Sequence, residues 1–123
     1  MKRLAAAGIS FVCLVTSLQL DAQTYQKVYA FADETDGNDI TSTLTMDRAG
    51  NFYGTSFSGG TSYGTACDLW GGCGLVFRLS PSGMKTTLHN FGLTSADGQN
   101  PKSGVVVDAA GNIYGTTEET SGG

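Results

Sequence analysis

Asp108-Ala-Ala-Gly-Asn-Ile-Tyr-Gly-Thr-Thr117 is the stretch of sequence that decides the fold. The carboxylate of Asp108 can accept backbone N–H groups across a type I turn, and Gly111 can take the left-handed conformation that closes a short hairpin. The runs Val105–Asp108 and Asn112–Thr116 on either side of this turn then become paired antiparallel strands. The stretch therefore predicts a β-hairpin whose turn is built by Asp108, Gly111 and Asn112.

The same stretch occurs once more, earlier in the chain. Segment 44–56 matches segment 105–117 at a constant offset, so that Asp108, Gly111 and Asn112 have the earlier counterparts Asp47, Gly50 and Asn51. Upstream, Val28-Tyr-Ala-Phe31 pairs with Leu88-His-Asn-Phe91 at nearly the same offset. This self-similarity predicts two copies of one unit within a repeat region 23–123, at about 26–85 and 86–123, with the second copy incomplete.

The composition favours an all-β protein, because glycine is frequent, with 18 of 123 residues, and no window shows a sustained apolar period of 3.6 residues. One unit contributes four antiparallel strands, the size of a β-propeller blade, and we expect further copies in the intact protein because a single blade cannot bury both of its faces. The fold class predicted is a fragment of a β-propeller with four-stranded antiparallel blades. Its seven predicted strands are Gln26–Phe31, Thr43–Asp47, Asn51–Ser56, Leu75–Leu79, Thr86–Phe91, Gly104–Asp108 and Asn112–Thr117.

Segment 1–22 has the pattern of a secretory signal peptide. Lys2 and Arg3 form a basic start, a largely apolar run follows, and Ala22 is a small residue at the expected cleavage point. A membrane anchor is the competing interpretation, but the run is short and contains polar residues. A lipoprotein signal centred on Cys13 is disfavoured, because the apolar run continues past it. We therefore expect a secreted or cell-surface protein, extracellular or periplasmic, with no membrane span after cleavage.

The charge distribution limits the class of partner. Without segment 1–22 the chain carries five basic and ten acidic residues, and the basic ones are scattered rather than aligned in a stripe. Such a chain cannot neutralise a row of phosphates, so nucleic acid is not expected as a partner. An extracellular protein or a polysaccharide is the expected partner, and no cofactor, metal site or catalytic residue is predicted.

Three segments resemble the bacterial GloVer tandem repeat. They are the hairpin Asp108–Thr117, the strand Gly74-Leu-Val-Phe-Arg-Leu-Ser-Pro81 and the strand Leu88-His-Asn-Phe91. The GloVer repeat carries a Gly-Asn-Leu-Tyr-Gly-Thr-Thr signature, a Gly-Thr-Val-Phe-Lys-Leu strand and a Leu-His-Ser-Phe-like strand, and the chain is also similar to NHL-type and SBBP-type repeats. The resemblance implies an exported multi-repeat protein with a propeller architecture, and it implies no enzymatic activity.

The chain departs from that repeat at Ala66-Cys-Asp-Leu-Trp-Gly-Gly-Cys73, which is an insertion between two strands. Two cysteines in an oxidising compartment favour a disulfide between Cys67 and Cys73, with free thiols or a redox or metal site as the alternatives left open. Trp70, between these cysteines, is a candidate ligand contact, although a tryptophan that folds back over its own disulfide is the preferred interpretation.

Two other features could carry chemistry. His89 is the only histidine, but Tyr29 stands at its position in the first copy, so packing explains the ring better than catalysis. The acidic segment Asp33–Asp39 lacks the glycine and glutamate spacing of a calcium loop and is interpreted as a connecting loop, with weak calcium binding left open. The function predicted is a non-catalytic binding or scaffold module. The alternative is part of a secreted propeller enzyme, a glycosidase or lyase, with its site in other blades.

Overall fold

The computed structural model describes residues 23–61, 67, 71–94 and 96–120. The predicted signal peptide and Trp70 lie outside these residues. The strands are β1 (Thr45–Met46), β2 (Phe52–Ser56), β3 (Leu75–Leu79), β4 (Lys85–Asn90), β5 (Gly98–Gln99), β6 (Val106–Val107), β7 (Ile113–Tyr114) and β8 (Glu119–Thr120). Within the described part of the chain the one helical element is a 3₁₀ helix, Glu34–Asp36, so the prediction of an all-β protein is confirmed.

A four-stranded antiparallel sheet forms the centre of the structure, in the order β1-β2-β3-β4. In its register Thr45 lies opposite Tyr53, Tyr53 opposite Arg78, and Arg78 opposite Thr86. A bulge between Val76 and Phe77 shifts the pairing of β3 with β4. Two smaller antiparallel sheets follow in the chain, β5 with β8 and β6 with β7.

The prediction of a strand over Gln26–Phe31 is wrong, because this segment has no ladder in the structure. The segment still packs: Tyr29 and Phe31 lie against one face of the four-stranded sheet. A strand needs a neighbour to bond with, and the described residues supply none here. The strands predicted at Gly104–Asp108 and Asn112–Thr117 are shorter in the structure, where they form β6 and β7.

The core lies on both faces of the four-stranded sheet. Side chains of β3 alternate between the faces, so that Leu75, Phe77 and Leu79 point to one face and Val76 to the other. Phe77 is fully buried, and burying a ring of this size stabilises the fold by about 1.5–3 kcal/mol. The Val76 face is covered by residues that follow the sheet in sequence: Phe91, Val105, Val107 and Ile113.

Candidate functional site

The turn between β1 and β2 is organised by the carboxylate of Asp47. Its Oδ1 accepts the backbone N–H groups of Ala49 and Asn51, each at 2.9 Å. Its Oδ2 accepts the side-chain amide of Asn51 at 2.8 Å and the hydroxyl of Tyr53 at 3.0 Å. Gly50 has a φ of 83°, a left-handed conformation that glycine adopts without strain. Every described contact of Asp47 therefore serves the hairpin.

The turn between β6 and β7 has the same set of bonds around Asp108. Oδ1 accepts the N–H groups of Ala110 and Asn112 at 2.9 and 2.8 Å, and Oδ2 accepts the Asn112 amide and the Tyr114 hydroxyl at 2.8 and 3.1 Å. Gly111 has a φ of 87°, close to that of its counterpart in the first hairpin. The turn residues predicted from sequence thus form two hydrogen-bond networks with the same pattern of donors and acceptors.

These bonds favour the ionised carboxylates. The Asn51 side-chain amide is the main cause that lowers the pKa of Asp47 below 3.8, and the Asn112 side-chain amide does the same for the pKa of Asp108. Burial, followed by the bond to Asp47, raises the pKa of Tyr53 above 10.0. An ionised carboxylate that is surrounded by donors is suited to holding a turn and is a poor general acid.

The acidic segment Asp33–Asp39 is tied into the fold through the carboxylates of Asp33 and Asp36. The Asp33 carboxylate caps the 3₁₀ helix by accepting the N–H groups of Thr35 and Asp36. The Asp36 carboxylate accepts the Tyr29 hydroxyl at 2.7 Å and pairs with the Lys85 ammonium at 2.7 Å. Burial opposes ionisation of Asp36, but the bonds from Lys85 and Tyr29 outweigh it and lower its pKa.

His89 is the residue that the sequence match between 28–31 and 88–91 aligns with Tyr29. Its Nε2 lies 3.1 Å from both carboxylate oxygens of Asp97, and its ring meets that of Phe91 edge-on at 4.9 Å. The Tyr29 and Phe31 rings meet edge-on in the same way, at 5.1 Å. The His89 side chain is 47% exposed, and its contacts are those of a ring that packs against a neighbour and anchors a connecting segment.

Three connections meet at the end of the sheet opposite to the Asp47 turn. The sulfur atoms of Cys67 and Cys73 lie 2.02 Å apart in a disulfide, and both cysteines are buried. The connection from β2 to β3 is bonded to the acidic segment through Gly60 N–H and the Glu34 carbonyl, at 2.8 Å. It is also bonded to the connection after β4, because Asn100 N–H donates to the Cys73 carbonyl at 2.8 Å. We call these joined connections the disulfide end.

Close backbone approach explains the glycines at the disulfide end. A methyl group on Gly72 would lie 2.4 Å from the Gly59 carbonyl oxygen, and one on Gly71 would lie 2.7 Å from the Glu34 carboxylate. Gly72 therefore packs against the Gly59 backbone at a distance that only glycine permits, and Gly71 lies beside the Glu34 side chain with a φ of 72°. Trp70, the candidate ligand contact, lies outside the described residues and stays a prediction.

A cavity of about 440 Å³ lies between the four-stranded sheet and the residues that follow it in the chain. Its apolar wall is formed by Val76, Phe91, Val105 and Ile113, and His89 also lines it. No group of three or more His, Cys, Asp or Glu side chains in the described segments is arranged to hold a metal ion. Sequence reasoning had no signal for this cavity, because it forms between residues that are far apart in the chain.

The Lys85–Asp36 pair was also missed by sequence reasoning. The two residues are 49 positions apart, and neither belongs to the stretches that repeat most closely. Asp36-Gly37 does recur as Asp97-Gly98, and this recurrence is the one signal that could have marked the carboxylate.

Comparison of the chain with protein-family models, with curated proteins and with solved structures gave no match. None of the helical structure in the described residues has the length and apolar character to cross a bilayer.

Proposed function

We propose that the chain is an exported, non-catalytic tandem-repeat protein of the GloVer type, with blade-like sheets that present loops to a polysaccharide or protein outside the cell. The observation that carries the proposal is the recurrence of one hydrogen-bond network, around Asp47 and around Asp108, at the offset of the sequence repeat. Four donor–acceptor pairs recur with nearly equal distances. A unit that recurs at atomic detail is typical of solenoid and propeller repeats.

The backbone between the hairpins supports the same repeat. Asp39 and Asn100 stand at that same offset, and they are the two described non-glycine residues with positive φ, each with a φ of 53°. Asn38 bridges Ser58 antiparallel, and Gln99 pairs with Glu119 at the corresponding positions. Because a left-handed non-glycine residue is uncommon, its recurrence at one offset is strong support for a common unit.

The disulfide end is the proposed binding face. The turns at the opposite end are short, and their backbone N–H groups are already bonded within the turn. Asp47 and Asp108 accept these bonds in two of the turns, and Ser80 accepts the Met84 N–H in the third. The disulfide end instead carries the longest connection between two strands of the four-stranded sheet, held by Cys67 and Cys73. Loops that are fixed on a rigid sheet are the usual carriers of binding function.

A polysaccharide pull-down tests this function. The secreted full chain is incubated with insoluble bacterial and plant cell-wall polysaccharides, and we expect a retained fraction that Trp70→Ala abolishes with little change in Tm. Tyr25→Ala is the matched control, because Tyr25 is an aromatic residue that is 91% exposed and belongs to a different part of the chain. Equal retention of the Trp70→Ala variant would contradict the assigned binding face. Release of soluble sugars by the intact chain would contradict the non-catalytic assignment and favour the propeller enzyme.

A further inference from the structure

The side chain of Phe77 packs over Gly54, in a space that exists because glycine has no side chain. We call this space the seat of the ring. A methyl group at Gly54 would lie 2.7 Å from the Phe77 ring and 2.6 Å from the Leu44 side chain, so any larger residue would expel the ring. Phe31 meets the ring edge-on, with centroids 5.1 Å apart, and Phe52 packs against the same cluster. The seat is therefore formed by β2 and by the two segments that precede it.

The second unit repeats this seat without a ring in it. Gly115 corresponds to Gly54, and a methyl group there would meet only Val105 Cγ1, at 3.1 Å, among the described residues other than its chain neighbours. The residues that correspond to the rest of the seat line the 440 Å³ cavity: Phe91 for Phe31, Val105 for Leu44 and Ile113 for Phe52. The cavity is thus lined by the sequence counterparts of three residues that surround the Phe77 ring.

Among the described residues, the backbone beside this cavity has a strand edge without a pairing partner, which we call the free edge. In the first unit β2 bonds to β1 on one side and to β3 on the other, whereas β7 pairs with β6 alone among the described strands. Asp108 N–H donates to the Asn112 carbonyl, so residues 112 and 114 face β6. The alternation of an antiparallel ladder then directs the N–H groups of Ile113 and Gly115 toward the free edge. A further β-strand can accept hydrogen bonds from these two N–H groups.

The polar residues of the second hairpin also favour an added strand with the sequence pattern of β3. Arg78 of β3 lies opposite Tyr53, whose hydroxyl donates to the Asp47 carboxylate. Tyr114 and Asp108 repeat that arrangement at the free edge, and Tyr114 is 58% exposed. A strand added there in the register of β3 would set its arginine beside an ionised carboxylate.

We propose that β7 and this cavity form an acceptor site for a β-strand of the β3 type, with a phenylalanine over Gly115 and a basic residue opposite Tyr114. The site rests on the repeat proposed above and specifies its partner, a β-hairpin with the pattern Gly-Leu-Val-Phe-Arg-Leu that adds to β7 by main-chain hydrogen bonds. A hairpin of this pattern that is supplied as a separate peptide should therefore bind to β7.

The test uses the full chain and a fluorescent peptide that spans residues 74–91, which covers β3 and β4. We expect saturable binding by fluorescence anisotropy. The same peptide with Phe77→Ala should bind at least about tenfold more weakly, and so should the wild-type peptide to a Gly115→Leu chain, because each change removes the ring from its seat. Met84→Ala in the chain is the control and should leave the affinity unchanged, since Met84 is 62% exposed and outside the acceptor site.

Hydrogen–deuterium exchange gives a second measurement that does not require a folded variant. Added peptide should slow exchange of the Ile113 and Gly115 amides and leave the Asn112 amide, already bonded to Asp108, unchanged. No binding, equal binding of the Phe77→Ala peptide, or protection confined to β4 would overturn the acceptor site. The polysaccharide pull-down does not depend on this result, so failure of the ligand class and failure of the acceptor site are seen separately.

Discussion

The Lys85 ammonium lies 2.7 Å from the Asp36 carboxylate and fastens the start of β4 to the acidic segment. The side chains are 6% and 18% exposed, so the pair is largely withdrawn from water. The Tyr29 hydroxyl donates to the second oxygen of the carboxylate, and the ammonium lies 5.5 Å from the centroid of the Phe31 ring. One cation therefore links two segments that are distant in sequence.

Removal of the Lys85 charge should destabilise the fold markedly. Lys85→Met leaves the Asp36 carboxylate largely buried without its cation, and breaking such a pair costs about 3–5 kcal/mol. Urea unfolding gives the measurement. Lys102→Met is the matched control: Lys102 pairs with Glu118 at 2.6 Å, but the side chains are 61% and 42% exposed, so its loss should cost less than about 1 kcal/mol. Equal losses for the two variants would show that burial does not set the strength of the Lys85 pair.

The two aspartate hairpins should differ in their sensitivity to the same substitution. Asp47→Ala should lower Tm more than Asp108→Ala, because Tyr53 is 8% exposed and loses its acceptor in a dry site, whereas Tyr114 is 58% exposed and can bond to water. Scanning calorimetry on the two variants provides the comparison. A larger effect at Asp108 would mean that the second hairpin, and not the first, is the better packed of the two.

Acid should remove the contribution of both hairpins. The pKa values of Asp47 and Asp108 are lowered from 3.8 in the folded state, so their stabilising effect is fully present above pH 3.8 and is lost as pH falls through the folded pKa. The difference in Tm between the wild type and an Asp47→Asn, Asp108→Asn double variant should be constant above about pH 5 and should shrink at lower pH. An identical difference at pH 6 and pH 2.5 would contradict the role of the ionised carboxylates.

The disulfide should act mainly on the connection that it closes. The Cys67–Cys73 bond spans a sequence separation of 6, and a loop this small contributes about 2 kcal/mol through chain entropy. The Cys67→Ser, Cys73→Ser variant should therefore remain folded, with a moderately lower Tm and greater proteolysis between β2 and β3. Mass spectrometry of the unreduced secreted protein checks the bond directly, and two alkylatable thiols in that sample would disprove it.

Much of the architecture was predictable, but unevenly. β3 was located at Leu75–Leu79 as predicted, because an apolar run between turn residues is a strong local signal. The strand predicted at Gln26–Phe31 did not form, because a β-ladder depends on a neighbour that local sequence does not reveal. In the candidate site, the roles of Asp47 and Asp108 followed from turn chemistry, while the cavity beside Gly115 did not.

The sequence alone determined the hairpin turns, since Asp47 and Asp108 bond to residues within six positions of themselves and Gly50 and Gly111 meet their conformational demand locally. Only the tertiary structure decided that Lys85 pairs with Asp36 and that the Phe77 ring packs over Gly54. Turn bonds form between residues that are close in the chain, so a short stretch of sequence is enough to predict them. Buried pairs and cavities arise between segments that only the folded sheet brings together.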